Sequence, residues 1–189
     1  GEGRAYGIEF FIQKTMGKTT GWLGYTLAKS DRIFSNGLIN NGERYPYRYD
    51  RRHNLSLVVN QQLGKKWDLS AVWTFATGGT TTIPERETVA MRPDGTFVQI
   101  DYAPHRNNYR LPPSHRLNIG INYHKQKRRG ESIWNFGIYN AYNRLNPNFI
   151  FYNSDYKSED GSNLYKRNDK LKSVTILPII PSLSYTYKF

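Results

Sequence analysis

The side chains that could do chemistry in this chain are few, and their spacing does not build a catalytic site. There is no Cys, which excludes a disulfide framework, a thiolate zinc site and a cysteine nucleophile. Ser-centred elbows, Gly-rich phosphate loops followed by a helix, and zinc-binding spacings are all missing. Carboxylates that could pair for acid–base chemistry are scattered over mixed-charge segments: Glu85, Glu87, Asp101, Asp155, Glu159 and Asp160. The sequence therefore predicts that the protein is not an enzyme and that it carries no cofactor.

The four histidines do not form a metal cluster on sequence grounds. His53 and His115 each follow a long connection and open a segment of alternating polarity, which predicts that they lie at one level of a sheet. Arg51 and Arg52 precede His53 and Arg116 follows His115, and these charges argue against a cation site. Hydrogen bonds to neighbouring polar-face residues are the expected role of both histidines, and no metal is predicted.

Two clusters rich in Arg and Tyr are the candidates for ligand contact. Such side chains stack on sugars or planar ligands and pair with anions. They equally hold connections together through cation–π contacts and hydrogen bonds, and the sequence favours this structural role. The candidate ligand contacts are Arg44, Tyr45, Tyr47 and Arg48 in the first cluster and Tyr102, Arg106, Tyr109 and Arg110 in the second.

The elements that position these residues are indicated by alternation of polarity with a period of two, which is typical of strands. About seven segments show it, and no segment is a convincing helix. They begin at Tyr6, Leu23, Asn54, Trp67, Leu117, Trp134 and Ser182. Asp94-Gly95 predicts the turn of a further small hairpin within a long connection.

Short and long connections alternate along the chain. The short ones lie around Gly17, Gly64 and Gly130, and the long ones span 32–49, 78–113 and 153–172. All long connections therefore leave from one end of the predicted sheet. Outer-membrane barrels have this asymmetry, with short periplasmic turns and long extracellular loops.

Composition favours a membrane barrel over a soluble sheet. Aromatic residues make up 15% of the chain although hydrophobic residues make up only 38%. No stretch approaches the roughly 20 apolar residues of a membrane helix, whereas barrel strands need an apolar residue only at every second position. The net charge of +12 invites a nucleic-acid interpretation. The basic residues are instead expected in solvated turns and loops and form no stripe along one element, so no nucleic-acid partner is predicted. Those that fall in short turns are Lys18, Lys65, Lys66, Lys127, Arg128 and Arg129.

Aromatic residues on the apolar positions share a level at the short-turn end. Trp and Tyr prefer the boundary between membrane and water, so we expect interfacial aromatics at Trp67, Tyr123 and Trp134. Trp22 has the opposite parity and departs from the pattern. The alternate positions carry Asn and Ser, which suit a hydrated lumen.

Several segments resemble the late barrel strands of TonB-dependent outer-membrane transporters. They are Tyr49-Asp50-Arg51-Arg52-His53-Asn54-Leu55, Ser114-His115-Arg116-Leu117-Asn118-Ile119, the run from Ile138 to Pro147, and the ending from Pro181 to Phe189. The resemblance covers nearly the whole chain. It implies that residues 1–189 are the C-terminal third of an antiparallel transmembrane β-barrel of about 22 strands. The plug and the N-terminal strands would precede them, and the absence of a signal peptide at Gly1 predicts a processed chain or a fragment.

The resemblance also implies function and partners. The expected function is active import of a nutrient across the outer membrane of a Gram-negative cell, with the substrate unidentified. The expected partners are outer-membrane lipid, the rest of the barrel and its plug, a periplasmic energy-coupling protein that binds the N-terminal region, and a surface lipoprotein. In outer-membrane proteins, a final aromatic with aromatics at alternate positions resembles the signal read by the barrel-assembly machinery. The residues that fit are Leu183, Tyr185, Tyr187 and Phe189.

Two other functions remain open from the sequence. One is a different outer-membrane barrel, such as a porin or an assembly or secretion component. The other is a soluble basic β-protein that binds nucleic acid or polysaccharide, in which the apolar positions would pack into a shared core.

Overall fold

A computed structural model describes residues 1–93, 95, 97–158 and 165–189 of the chain. The regular structure of these residues is all β, apart from a 3₁₀ turn at Asn40–Gly42. The described part of the chain holds no helix of the length and hydrophobicity that a membrane crossing requires. The strands are β1 (Glu2–Lys14), β2 (Thr19–Ile33), β3 (Tyr45–Pro46), β4 (His53–Gln62), β5 (Trp67–Ala76), β6 (Thr80–Thr81), β7 (Arg86–Met91), β8 (Phe97–Tyr102), β9 (Tyr109–Arg110), β10 (Ser114–Lys127), β11 (Gly130–Tyr139), β12 (Phe149–Ser158), β13 (Tyr165–Val174) and β14 (Ile180–Lys188).

The main sheet is an antiparallel meander of the long strands. Its order is β1-β2-β4-β5-β10-β11-β14, and the short β3 pairs with the end of β2. These seven long strands contain the seven segments predicted from alternating polarity, so the all-β antiparallel prediction is confirmed. Several strands extend beyond the alternating segment, because backbone pairing continues where the side chains no longer alternate.

Connection lengths also follow the prediction. β1–β2, β4–β5 and β10–β11 are joined by tight turns, and the other three connections within the main sheet are long. Gly130, at the third turn, has φ +142°, and an added Cβ would lie 2.1 Å from the carbonyl oxygen of Lys188. A side chain at this position would therefore clash with the neighbouring strand, which is why the turn requires glycine.

The third long connection contains structure that the sequence does not predict. The segment 153–172 is predicted to be a long connection, and it does lie within the long connection from β11 to β14. Within it, β12 and β13 pair with each other from Phe149↔Val174 to Ser158↔Tyr165 and form a two-stranded ribbon outside the main sheet. It has no face that must be apolar, so it leaves no alternating pattern.

The second long connection holds two ribbons. Strands β7 and β8 pair around the predicted hairpin turn, where Met91 lies opposite Phe97 and Gly95 has φ +82°. Asp94 of that turn lies outside the described residues. Strands β6 and β9 pair closer to the main sheet. The connection is therefore folded on itself.

The register places the apolar positions of the seven long strands on one face of the sheet. Ile119, for example, lies opposite Ala71 on one side and Ile138 on the other. Directly opposed residues of antiparallel strands point to the same side. The alternate positions form a polar face, on which Asn122 lies opposite Asn135.

The burial of side chains is the reverse of that in a soluble domain. None of the described hydrophobic residues is buried, and Ile8, Phe10 and Leu183 keep 68%, 64% and 62% exposure. The buried side chains are polar: Asp31, Asn40, Asp50, Thr80, Ser132 and Asn140. A single sheet layer has no second layer against which an apolar face can pack, so this face is uncovered.

The main sheet is open in the described residues. β1 and β14 are its edges, each paired on one side only, and no closed barrel is formed. The coarser part of the fold prediction, an all-β antiparallel sheet, is thereby established, while closure is not.

Candidate functional site

The apolar face carries a row of aromatic side chains at its short-turn end. Trp67, Tyr123, Trp134 and Tyr185 lie in register on four neighbouring strands. Ring centroids are 4.6 Å apart for the first pair and 4.8 Å apart for the second. The three predicted interfacial aromatics thus share one level of the sheet, and their position at a membrane boundary stays a prediction.

A second group of rings lies at the long-connection end of the same face. His53 Nδ1 lies 2.8 Å from the hydroxyl of Tyr25, and His115 Nδ1 lies 2.8 Å from that of Tyr142. The expectation that these histidines bond to polar-face residues is therefore wrong. Both occupy positions of apolar-face parity, where tyrosine hydroxyls are the partners within reach. They also differ in level, because Phe75 lies opposite His115 and His53 lies two residues further out.

The predicted assembly residues occupy the last strand. Leu183, Tyr185 and Tyr187 share a face of β14, and Phe189 follows the strand with its side chain fully exposed. The hydroxyl of Tyr187 donates to the carbonyl oxygen of Arg129 over 3.0 Å. β14 is an edge strand, so these side chains stand beside unpaired backbone groups.

The polar face carries a network at its short-turn end. His124 Nδ1 lies 2.8 Å from Glu131, and its Nε2 hydrogen bonds with Asp68. Asn122 donates to Asp68 over 2.7 Å and accepts from Asn135. The two carboxylates contact different nitrogens of one imidazole and do not converge on a point. Correspondingly, the described residues contain no group of three His, Cys, Asp or Glu side chains that could hold a metal ion.

Asp31, on β2, holds the first long connection and β1 through two arginines. It is 3% exposed and accepts hydrogen bonds from Arg4 Nε at 3.0 Å and Arg44 Nη1 at 2.7 Å. A carboxylate withdrawn from water requires such donors. Arg44, a predicted ligand contact, is therefore bound to a carboxylate of its own chain.

Asp50 has the same role before β4. It is 2% exposed and accepts from the Ser30 amide at 2.7 Å and from Arg110 Nη2 at 2.6 Å. Arg110 Nη1 donates further to the carbonyl oxygens of Asp50 and Gly78. Arg110, another predicted ligand contact, thus ties the first long connection to the second.

The other candidates of the first cluster differ in availability. Tyr45 stacks on Phe34 with centroids 6.4 Å apart, and the guanidinium of Arg32 lies 3.8 Å from the ring centre of Tyr47. Arg48 is exposed and forms no ion pair or side-chain hydrogen bond with described residues. Its guanidinium lies 5.9 Å from the ring centre of Tyr49, so Arg48 is the exposed arginine of this group without a carboxylate partner among the described residues.

The second cluster also contains both paired and solvent-accessible residues. Tyr109 pairs with Thr81 in the β6–β9 ribbon. Tyr102 is 52% exposed, and Arg106 is exposed while its backbone amide donates to Asn40 Oδ1 over 2.7 Å. Tyr102 and Arg106 are accordingly the solvent-accessible members of this cluster.

Glu85 organises the second long connection. His105 Nδ1 lies 3.0 Å from both of its carboxylate oxygens, and Asn108 donates to Oε1 over 2.7 Å. These hydrogen bonds, of which the one with His105 has the largest effect, hold the pKa of Glu85 below its ordinary value. The geometry makes Glu85 a structural anion. Of the other predicted carboxylates, Glu159 and Asp160 lie outside the described residues, as do the side chains of Glu87 and Asp155.

Two adjoining cavities open where the polar face meets the long connections. Their volumes are about 410 and about 270 Å³, and Arg51, Ser114 and Asn146 line both. Arg116 also lines the first and Arg48 the second. We refer to the two cavities together as the arginine groove.

The arginine groove has no carboxylate among the described residues that line it. Arg116 Nη1 donates to the hydroxyl of Tyr139, and the guanidinium carbon lies 4.4 Å from that ring centre. Its Nε is out of contact with solvent and has no hydrogen-bond partner among the described residues. Arg51 forms no ion pair or side-chain hydrogen bond with them. The groove therefore presents uncompensated positive charge.

Sequence reasoning misses Arg51 and Arg116 as candidate contacts. In the sequence, Arg51 and Arg116 are considered only because their charges disfavour a cation site at the nearby His53 and His115. The available signal is parity, because Arg116 occupies a polar-face position of β10 opposite Thr74, on a face otherwise rich in Asn, Ser and Thr. An arginine among small uncharged side chains requires a counter-charge or water.

These features define an all-β protein whose main body is an antiparallel sheet with the long connections gathered at one end. Comparisons with protein-family models, with curated proteins and with solved structures found no match to this chain. The likeness to TonB-dependent transporters therefore stays a prediction from sequence.

Proposed function

We propose that this chain forms part of the wall of an outer-membrane β-barrel that imports a nutrient, as the barrels of TonB-dependent transporters do. The observation that carries the proposal is the apolar face, where a mainly aliphatic band lies between two rows rich in aromatic rings. A soluble protein buries such a face, whereas in a membrane barrel lipid covers it.

The length of the band fits a membrane crossing. The rows contain Trp67 and Phe75 on β5, and Tyr123 and His115 on β10, so each strand runs nine residues from row to row. A tilted barrel strand needs about 9–11 residues to cross the hydrocarbon. Tyr and Trp at both ends would lie where acyl chains meet water.

The connections support the same orientation. The three tight turns lie at one end of the sheet and the three long connections at the other. In outer-membrane barrels, short turns face the periplasm and long loops face the exterior. The arginine groove, at the long-connection end of the polar face, would then open into the outer half of the lumen.

The open edges support a larger barrel. β1 and β14 run in the same direction, so pairing them with each other would break the antiparallel pattern. Bacterial single-chain barrels close with an even number of strands. We therefore infer that further strands complete the wall, to about 22 with a plug if the transporter resemblance holds.

The experiment is to find the polypeptide that carries this sequence in the source cell by mass spectrometry of membrane and soluble fractions. The expected result is a detergent-extracted, heat-modifiable band far larger than 22.0 kDa with a plug-like N-terminal region. A heat-modifiable band without a plug would favour a porin or an assembly or secretion component. A soluble, monodisperse band near 22.0 kDa would contradict the proposal and favour a basic binding protein.

A further inference from the structure

We propose that the arginine groove binds a small organic oxyanion, with Arg116 and Arg51 as its principal contacts. The inference rests on the proposed function and adds a substrate class to it. The first supporting observation is the contrast with the neighbouring arginines. Arg44 and Arg110 are paired with Asp31 and Asp50, whereas the groove arginines have no such partner among the described residues.

The second observation is the state of Arg116. Its guanidinium is held in place by Tyr139, through one hydrogen bond and a ring contact. Yet its Nε–H is shielded from solvent without an acceptor among the described residues. The same holds for Arg52 and Arg144, but of these three arginines only Arg116 lines the groove. Buried donors of charged groups are rarely left unpaired in native proteins. The planar fork of donors matches a carboxylate, phosphate or sulfate group.

The third observation is the chemistry of the walls. The cavity of about 410 Å³ is lined by Ser56, Thr74 and Asn54 besides the arginines. Its size is that of a small-molecule site, and its hydroxyls and amides suit a hydroxylated ligand. Phe75 and His115 of the outer aromatic row also border this cavity, but Arg116, Ser56 and Thr74 occupy polar-face positions. The oxyanion is therefore expected from a solute in the lumen rather than from a lipid headgroup.

The test uses the complete polypeptide extracted from the outer membrane in detergent. Calorimetry would measure binding of galacturonate and of inorganic phosphate, with galactose as the uncharged counterpart of the first. We expect galacturonate and inorganic phosphate to compete for the same site. Galactose is expected to bind at least tenfold more weakly than galacturonate. Weakening of binding by added salt would accompany this result.

Three variants locate the site. Arg116→Gln is expected to weaken oxyanion binding at least tenfold, and Arg51→Gln to weaken it severalfold. Arg51 has no side-chain partner among the described residues, so its replacement tests the site even if Arg116→Gln lowers the folded yield. Arg128→Gln is the matched control, because Arg128 is exposed in the short turn at the opposite end of the sheet.

Two results would overturn the inference. One is the absence of oxyanion binding to the wild-type polypeptide, as would occur if an acidic side chain of another part of the protein filled the groove. The other is equal binding by wild type, Arg116→Gln and Arg51→Gln. Heat-modifiability of the same preparations tests the barrel separately, so a folded barrel without oxyanion binding refutes this inference and leaves the proposed function intact.

Discussion

Replacing Ile119 with Arg is the most direct test of the two faces of the sheet. Ile119 lies four residues from Tyr123 and four from His115, midway between the aromatic rows of β10. Its neighbours across the sheet are Ala71 and Ile138. If lipid covers the apolar face, this position is close to the bilayer midplane.

The expected cost follows from that depth. Arg on the lipid face of a barrel costs about 2–4 kcal/mol at the midplane and about 0–1 kcal/mol near the interfaces. The midplane cost corresponds to a shift of roughly 30- to 1000-fold in the folding equilibrium. Arg at Tyr123, in the aromatic row, should cost clearly less than Arg at Ile119.

The matched control is Val72→Arg. Val72 is also an aliphatic residue at mid-height, but it lies on the polar face opposite Asn118. An arginine there would face a hydrated lumen, so its cost should be well below that at Ile119. Urea unfolding of the complete polypeptide in phosphatidylcholine vesicles would measure all three variants.

The results that refute the reasoning are specific. Equal costs at Ile119 and Val72 would mean that the two faces meet the same environment. Equal costs at Ile119 and Tyr123 would mean that depth in the bilayer does not matter, as in a protein core. Either result would remove the basis for a lipid-facing surface.

Three further predictions concern assembly and the connections. Phe189→Ser should lower the amount of heat-modifiable barrel in outer membranes while Lys188→Ser does not, because the terminal aromatic belongs to the proposed assembly signal; equal yields would contradict that role. Asp50→Ala should speed limited proteolysis of the long connections severalfold, because Arg110 and the Ser30 amide lose their buried acceptor. Glu43→Ala, at an exposed site, is the control, and equal rates of proteolysis in the two variants would refute the anchoring role of Asp50. Hydrogen bonds lower the pKa of Glu85, so its ordering of the second long connection should be present at neutral pH and lost as pH falls below about 4.5 toward the lowered pKa. Amide exchange of residues 83–108 in wild type and in Glu85→Gln would measure this effect. Identical pH profiles of the two proteins would exclude the mechanism.

The loop chemistry shows where sequence reasoning reaches its limit. Arg44, Arg48 and Arg110 look alike as members of Arg/Tyr clusters. Only folding distinguishes them, since Asp50 and Arg110 are sixty residues apart in the chain. A hydrogen bond over that separation depends on how two connections pack, and no local pattern records it. The β12–β13 ribbon is hidden for a related reason, because its pairing makes no demand on an apolar face.

The sequence by itself determined the long strands of the main sheet, the face on which the alternating apolar side chains stand and the end from which each long connection leaves. It could do so because strand geometry alternates side chains with a period of two and because turn glycines are local requirements. Only the tertiary structure decided that Asp31 and Asp50 neutralise Arg44 and Arg110, and that Arg51 and Arg116 meet in a groove without a carboxylate. Charge pairing depends on distances between strands and connections remote in sequence, and those distances exist only after the sheet has formed.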